Sequence, residues 1–205
     1  TRHNVRHWGC GAKEPRISMA GHHRFFYYLT GDERIGDVMD FVKDADFATL
    51  VRDPMRNYFE HRPGFAHIRT GPDWSSFVSN WMTRWERFND TTYRDKILAG
   101  LDSIKKAPNR LASGSTFLYS PEDNVMRYLG EGNYQYHMVI CFGGPEIWFE
   151  LADLLQDDEL RDMLAEFGEY YALTPEERKR KSNGLFNESN DHAWRGIRFA
   201  IRMVA

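Results

Sequence analysis

The chain has 205 residues and a formal net charge of −3, from 27 Lys and Arg residues against 30 Asp and Glu residues. This balance excludes a strongly basic nucleic-acid binder and a strongly acidic tail, while an apolar share of 41% is typical of a globular protein. No run approaches the roughly 18 apolar residues of a membrane span. The two cysteines, Cys10 and Cys141, provide neither a disulfide framework nor a zinc-binding cluster.

A seven-residue pattern occurs three times and divides the chain into units. Its copies are residues 31–37 (GDERIGD), 89–95 (NDTTYRD) and 156–162 (QDDELRD). An aromatic-rich segment precedes each copy, and an amphipathic segment follows it, most clearly after the first and third copies, where apolar residues are spaced three and four apart as in a helix. The aspartate at the second position is a good N-cap, because its side chain accepts hydrogen bonds from free backbone N–H groups. Each unit is therefore predicted to be an αα-hairpin, two helices joined by a tight turn.

Longer connections rich in Gly and Pro separate the hairpins, at residues 53–72, 106–132 and 173–190. Because the turns within the hairpins are short, we expect these connections to emerge on one side of the array, where a rigid scaffold usually carries its functional residues. In the third connection, Thr174 followed by PEE predicts a short capped helix, and the basic run at residues 178–181 is expected to be a solvated face. A fourth unit begins at residue 190 (NDHAWR), so the predicted fold class is all-α, built from αα-hairpin repeats.

The segments that lead into the first helix of each hairpin carry six of the eight histidines, together with Trp, Tyr and Arg. Aromatic faces flanked by polar groups suit a polar, ring-shaped ligand. Of the six tryptophans, three are expected in the helix core (Trp81, Trp85 and Trp148), and three at loop-to-helix junctions are either core or ligand-facing (Trp8, Trp74 and Trp194). The histidine spacings do not match a zinc-site pattern, and nucleotide-binding fingerprints are absent, so no metal and no cofactor are expected.

Hairpins of this period with aromatic inner helices resemble the (α/α) toroid of the six-hairpin glycosidase-like, carbohydrate-active enzymes. Four segments more specifically resemble the toroid domain of exo-acting rhamnogalacturonan lyase-like proteins: residues 6–9 (RHWG), 28–34 (YLTGDER), 69–74 (RTGPDW) and 130–134 (GEGNY). The resemblance extends to about residue 171, and it implies a bacterial protein that is secreted or periplasmic. A closed ring of six such hairpins needs about 350 residues. Residues 1–205 are therefore predicted to be one incomplete toroid domain, about three and a half hairpins of a larger enzyme.

The residue types of the expected site favour one chemistry over another. A lyase that acts on a uronate must neutralise the carboxylate and remove the neighbouring proton, which calls for Arg, Lys or His near the acid group and a Tyr, His or Lys base. A glycoside hydrolase usually needs two opposed carboxylic acids. The loop segments are rich in His, Arg and Tyr and poor in acids, so the leading hypothesis is a polysaccharide lyase that cleaves an acidic polysaccharide by β-elimination.

Under this hypothesis Arg69 would hold the uronate carboxylate, with His137 or Tyr136 as base and His7 or His23 as the partner of the base. The residues expected to bind substrate are Trp8, Trp74, Asn133, Tyr134, Asp191, His192, Trp194 and Arg195. One alternative is a glycoside hydrolase with Asp73 and Asp191 as the acid pair, although Asp73 also suits an ordinary helix start. The other alternative is a non-catalytic sugar-binding toroid. The expected partners are an acidic oligo- or polysaccharide and further segments of the same protein, with neither nucleic acid nor membrane.

Overall fold

The computed structural model describes residues 19–111, 116–130 and 144–181. Three helical hairpins account for most of these residues, and they confirm the three units predicted from the repeat. They are α1 (Gly21–Thr30) with α2 (Glu33–Val42), α4 (Ser75–Phe88) with α5 (Thr91–Lys105), and α6 (Gly144–Leu155) with α7 (Asp158–Ala172). Two shorter helices, α3 (Ala48–Val51) and α8 (Pro175–Lys181), lie in the connections. The predicted fourth unit lies outside the described residues.

The turn within each hairpin is built from the same two local devices. A residue with positive φ ends the first helix, at 66° for Gly31, 51° for Asn89 and 50° for Gln156, and this left-handed conformation is the usual way to close a helix C-terminus. The aspartate that follows begins the second helix, because its carboxylate accepts a hydrogen bond from a free backbone N–H group. The acceptor–donor distances are 3.1 Å from Asp32 to Arg34, 3.2 Å from Asp90 to Thr92 and 3.0 Å from Asp157 to Leu160.

The connections also contain β-structure, so the prediction of an all-α fold is wrong in this respect. Strands β1 (Ala66–Arg69), β2 (Thr116–Ser120) and β3 (Val125–Gly130) form a three-stranded sheet in the order β1-β2-β3. All five residues of β2, TFLYS, are buried, and this β-branched and aromatic composition favours a strand. A search for helical periodicity misses such strands because they are only four to six residues long.

The chain divides into two compact units. The first comprises Thr1–Ile68, Asp73–Leu101 and Leu118–Arg127. Its core contains Phe77 and Trp81 of α4, and the ring of Phe77 stacks at 5.9 Å on that of Tyr119. Asn80 joins the first two hairpins, since its Oδ1 accepts from the Ala20 N–H at 2.7 Å and its Nδ2 donates to the Val42 carbonyl at 2.9 Å.

The second unit comprises Arg69–Pro72, Asp102–Phe117 and Tyr128–Ala205. Helices α6 and α7 bury the apolar side chains that form its core: Ile147, Trp148, Leu151, Leu160, Met163, Leu164 and Phe167. Lys105 anchors the turn between these helices through a 2.7 Å ion pair with Asp157. Of the predicted core tryptophans, Trp81 and Trp148 are confirmed as buried, whereas Trp85 is half-buried.

Helix α8 begins with the predicted capping box. The backbone N–H of Thr174 donates to Glu177 Oε2 at 2.9 Å, and the Glu177 N–H donates to Thr174 Oγ1 at 3.3 Å. Residues 179–181 are exposed, as expected for a solvated basic face. The prediction is wrong for Arg178, which is buried.

Within the ranges that the structure describes, the helices are too short or too polar to cross a membrane.

Candidate functional site

A surface cleft of about 450 Å³ lies in the connection between α3 and β1. It is lined by Val51, Arg52, Asp53, Arg56, Phe59 and His61. Two arginines and a histidine thus face one carboxylate, in a chain whose net charge is −3. The two arginines outnumber the single carboxylate, and a cleft with an excess of one sign of charge concentrates ligands of the opposite sign, so this arrangement favours an anionic ligand.

Asp53 is buried at the cleft and holds the two ends of the connection together. Its Oδ1 accepts a hydrogen bond from the Met55 N–H at 2.6 Å. Its Oδ2 accepts from the backbone N–H of His67 at 2.9 Å and lies 2.7 Å from His67 Nδ1. Since an ionised carboxylate only accepts hydrogen bonds, Nδ1 of His67 is the donor to Asp53 Oδ2.

The ring of Phe59 stacks on the imidazole of His67, with centroids 4.5 Å apart and planes 8° from parallel. A turn that begins at the fully buried Met55 places Phe59 against His67. In this turn the Met55 carbonyl accepts hydrogen bonds from the N–H groups of Tyr58 at 2.8 Å and Phe59 at 3.1 Å. Phe59, His67 and Asp53 therefore form a packed layer, of which Phe59 and Asp53 line the cleft.

A second turn, Arg62–Pro63–Gly64–Phe65, returns the chain to β1 and so brings His67 to Asp53. The Phe65 N–H donates to the Arg62 carbonyl at 3.0 Å, and Gly64 has a φ of 75°. Proline at the second position and glycine with positive φ at the third are the residues that a type II turn requires. The sequence of this turn thus fixes where β1 begins.

Four of the residues predicted for the site lie in the described part of the chain, and they do not form one exposed cluster. His23 is exposed on α1, whereas Arg69 is buried at the end of β1. Asp73 and Trp74 share a π-helical turn, Thr70–Trp74, that leads into α4, and both are buried. An exposed site at the loop ends therefore includes His23 alone of these four.

The expected contact of Trp74 with substrate is corrected by its position. Its indole ring is 1% exposed and packs directly over Gly100 of α5, so tightly that no Cβ fits between them. A ring enclosed in this way offers no face to a ligand. Asp73 is likewise 0% exposed, which argues against its use as a glycosidase acid because that acid must reach the scissile oxygen.

The remaining predicted residues lie outside the described part of the chain, and their roles stay predictions. They are His7, Trp8, Asn133, Tyr134, Tyr136, His137, Asp191, His192, Trp194 and Arg195. In the ranges 19–111, 116–130 and 144–181, no group of three or more His, Cys, Asp or Glu side chains is placed to hold a metal ion.

Sequence reasoning missed the residues of the cleft. His67 is one of the six histidines in the segments that lead into the hairpins but was given no role, and His61 lies outside those segments. A usable signal was present in residues 52–61 (RDPMRNYFEH), where two arginines, a histidine and two aromatic residues lie within ten positions. This segment begins a connection between hairpins, whereas the predicted site residues lie mainly where connections end.

Comparison with known proteins places the chain in a family. The model of the "PcRGLX-like protein C-terminal alpha/alpha toroid domain" matches residues 1–200. A protein of Bacillus subtilis (strain 168) named "Uncharacterized protein YetA" is 51% identical over 193 residues, which are 94% of this chain and 22% of that protein. The chain thus spans about a fifth of the length of this relative. The match confirms the resemblance drawn from the four sequence segments: the chain belongs to the PcRGLX-like C-terminal α/α toroid domains, the toroid domain of the rhamnogalacturonan lyase-like proteins.

Proposed function

We propose that this domain is part of a polysaccharide lyase that cleaves a uronate-containing polysaccharide by β-elimination. Membership of the rhamnogalacturonan lyase-like family indicates a carbohydrate-active domain. Because the chain spans 22% of its relative, the reaction is assigned to the whole polypeptide, with further segments completing the site. The proposal extends to an exported bacterial protein with an acidic polysaccharide as its partner.

The observation that carries the proposal is the balance of charged groups in the cleft. Arg52, Arg56 and His61 can face a uronate carboxylate, and the one carboxylate among them, Asp53, already accepts three hydrogen bonds from the protein. A glycosidase acid must instead hold a proton and deliver it to the leaving oxygen. The cleft therefore suits charge neutralisation of an acidic sugar better than acid catalysis of hydrolysis.

In β-elimination, a base takes the proton from C5 of the uronate, and the electron pair of that C–H bond forms the C4=C5 double bond. The C4–O bond breaks, and the departing oxygen takes up a proton to become the hydroxyl of the new chain end. Cationic side chains around the carboxylate stabilise the charge that develops as the C5 proton leaves. His137 or Tyr136 is proposed as the base, with His7 or His23 as its partner.

The test is incubation of the full chain, with any further domains that its gene encodes, with rhamnogalacturonan-type pectin, ulvan and glucuronan. The unsaturated uronate product absorbs in the near ultraviolet, so absorbance and new reducing ends are measured in the same sample. A lyase produces both together. Reducing ends without absorbance would refute the proposal in favour of a glycoside hydrolase, and binding without new ends would favour the non-catalytic alternative.

Three variants separate the chemistries within one assay. Formation of the unsaturated product is expected to be abolished in His137→Ala if His137 is the base, and in Tyr136→Phe if Tyr136 is the base. If activity survives in His137→Ala and in Tyr136→Phe but is lost in Asp73→Asn, the hydrolase alternative is favoured. Circular dichroism of each variant distinguishes loss of catalysis from loss of folding, which matters for Asp73 because it is buried.

A further inference from the structure

We infer that the cleft between α3 and β1 is a subsite for the carboxylate of a sugar acid, with the sugar ring packed on Phe59. We call this cleft the Arg52 cleft; it is lined by Val51, Arg52, Asp53, Arg56, Phe59 and His61. The sugar acid as ligand class rests on the proposed function, whereas the anionic character of the ligand rests on the cleft itself.

The first argument is the placement of cations. Arg52 is exposed at the cleft, and Arg56 is positioned by a 3.0 Å hydrogen bond from its Nη1 to the carbonyl of Asp53. A guanidinium group has a planar fork of donors that matches the two oxygens of a carboxylate. His61, also exposed, adds an imidazole to the cleft wall.

The second argument concerns the acidic residue of the cleft, Asp53, whose hydrogen-bond acceptors are already used within the protein. Both oxygens of Asp53 are turned to protein donors, Oδ1 to the Met55 N–H and Oδ2 to the N–H and Nδ1 of His67. Its charge is thus held by three short hydrogen bonds within the protein. Asp53 is buried with its oxygens occupied, whereas Arg52 is exposed to an anion that enters the cleft.

The third argument is an aromatic surface of fixed orientation. Phe59 is half-buried, and its stacking on His67 at 4.5 Å sets the plane of its ring. A sugar presents a flat face of C–H groups that packs on an aromatic ring, while its polar edge binds charged groups. The cleft volume of about 450 Å³ lies within the range of small-molecule sites, roughly 300–1,000 Å³.

The experiment is a calorimetric titration of the full chain with trigalacturonate, using galactotriose as the neutral sugar of the same length. Arg52→Gln is expected to weaken trigalacturonate binding on the order of tenfold, the effect of losing one charge-assisted hydrogen bond. Arg180→Gln, the same change of charge at an exposed position of α8, is expected to leave the affinity within about twofold. Arg52→Lys keeps the charge without the fork, so its affinity should fall between wild type and Arg52→Gln.

Absence of trigalacturonate binding, equal binding of galactotriose, or equal affinities of Arg52→Gln and Arg180→Gln would each overturn the inference. A sulfated galactose trimer that binds as tightly as trigalacturonate would overturn the assignment to a carboxylate. Lyase activity with an unaffected Arg52→Gln variant would reject the subsite and leave the proposed function standing. Arg52-dependent binding of trigalacturonate without unsaturated product would reject the lyase and support the subsite.

Discussion

Replacing Asp53 by Asn tests whether this buried carboxylate organises the cleft. Two of its three donors are backbone N–H groups, those of Met55 and His67, and their protons cannot be moved. The carboxylate accepts at both oxygens, whereas an amide accepts at one oxygen and donates from its nitrogen. In Asp53→Asn, one of the two backbone N–H groups therefore faces an NH₂ group, whichever way the amide is oriented.

The magnitude follows from the burial of the site. Asp53 is 7% exposed and the residue His67 is 5% exposed, so water cannot replace the lost acceptor. An unsatisfied buried donor costs about 1–3 kcal/mol, and hydrogen bonds to a charged group contribute about 1.5–3 kcal/mol. These two figures describe the same interaction, so the expected loss in free energy of unfolding is about 2–3 kcal/mol.

The assay is urea unfolding followed by tryptophan fluorescence, which is sensitive to the buried Trp74, Trp81 and Trp148. The difference in midpoint multiplied by the m-value gives the difference in stability. Asp37→Asn is the matched control, since it makes the same chemical change at an exposed position of α2 and is expected to shift stability by less than about 0.5 kcal/mol. Coincident midpoints for the two variants would refute the reasoning.

Three further predictions concern the helical scaffold. Gly100→Ala should lower stability by about 1–3 kcal/mol, because the added methyl group would overlap the indole ring of the buried Trp74; an unchanged melting temperature would contradict this packing. Although burial raises the pKa of Asp157, the hydrogen bonds from Lys105 and from backbone N–H groups outweigh it, so this pKa lies below the ordinary value of an aspartate. The resulting stabilisation is present above the unfolded pKa and is lost as pH falls through the folded one, so Asp157→Asn should reduce the acid sensitivity of the unfolding midpoint; parallel pH profiles would contradict it. Gly31→Ala should cost about 1 kcal/mol through backbone strain alone, because φ is 66° and no atom lies within 4 Å of the new Cβ; equal stability by urea unfolding would argue against a fixed left-handed turn.

The Arg52 cleft contains residue types that the sequence predicted for a site, but it lies at a different position and is formed by different residues. The sequence indicated a region rich in His, Arg and aromatic residues in the connections between hairpins, and the Arg52 cleft has this character. The pairing of Asp53 with His67 was not predictable, because it joins residues 14 positions apart through two turns. The burial of Trp74 was likewise not predictable, because a tryptophan at a loop-to-helix junction can either lie in the core or face a ligand.

The sequence by itself determined the helical hairpins, because their signals act within a few residues: apolar spacing, a residue suited to positive φ, and an aspartate cap. Membership of the toroid family was also visible in short motifs. The tertiary structure alone decided the three-stranded sheet, since β1 and β2 pair residues near position 68 with residues near position 118. It also decided that Arg69, Asp73 and Trp74 are enclosed while Arg52 and His61 are exposed. Burial depends on which distant segments cover a side chain, and local sequence does not contain that information.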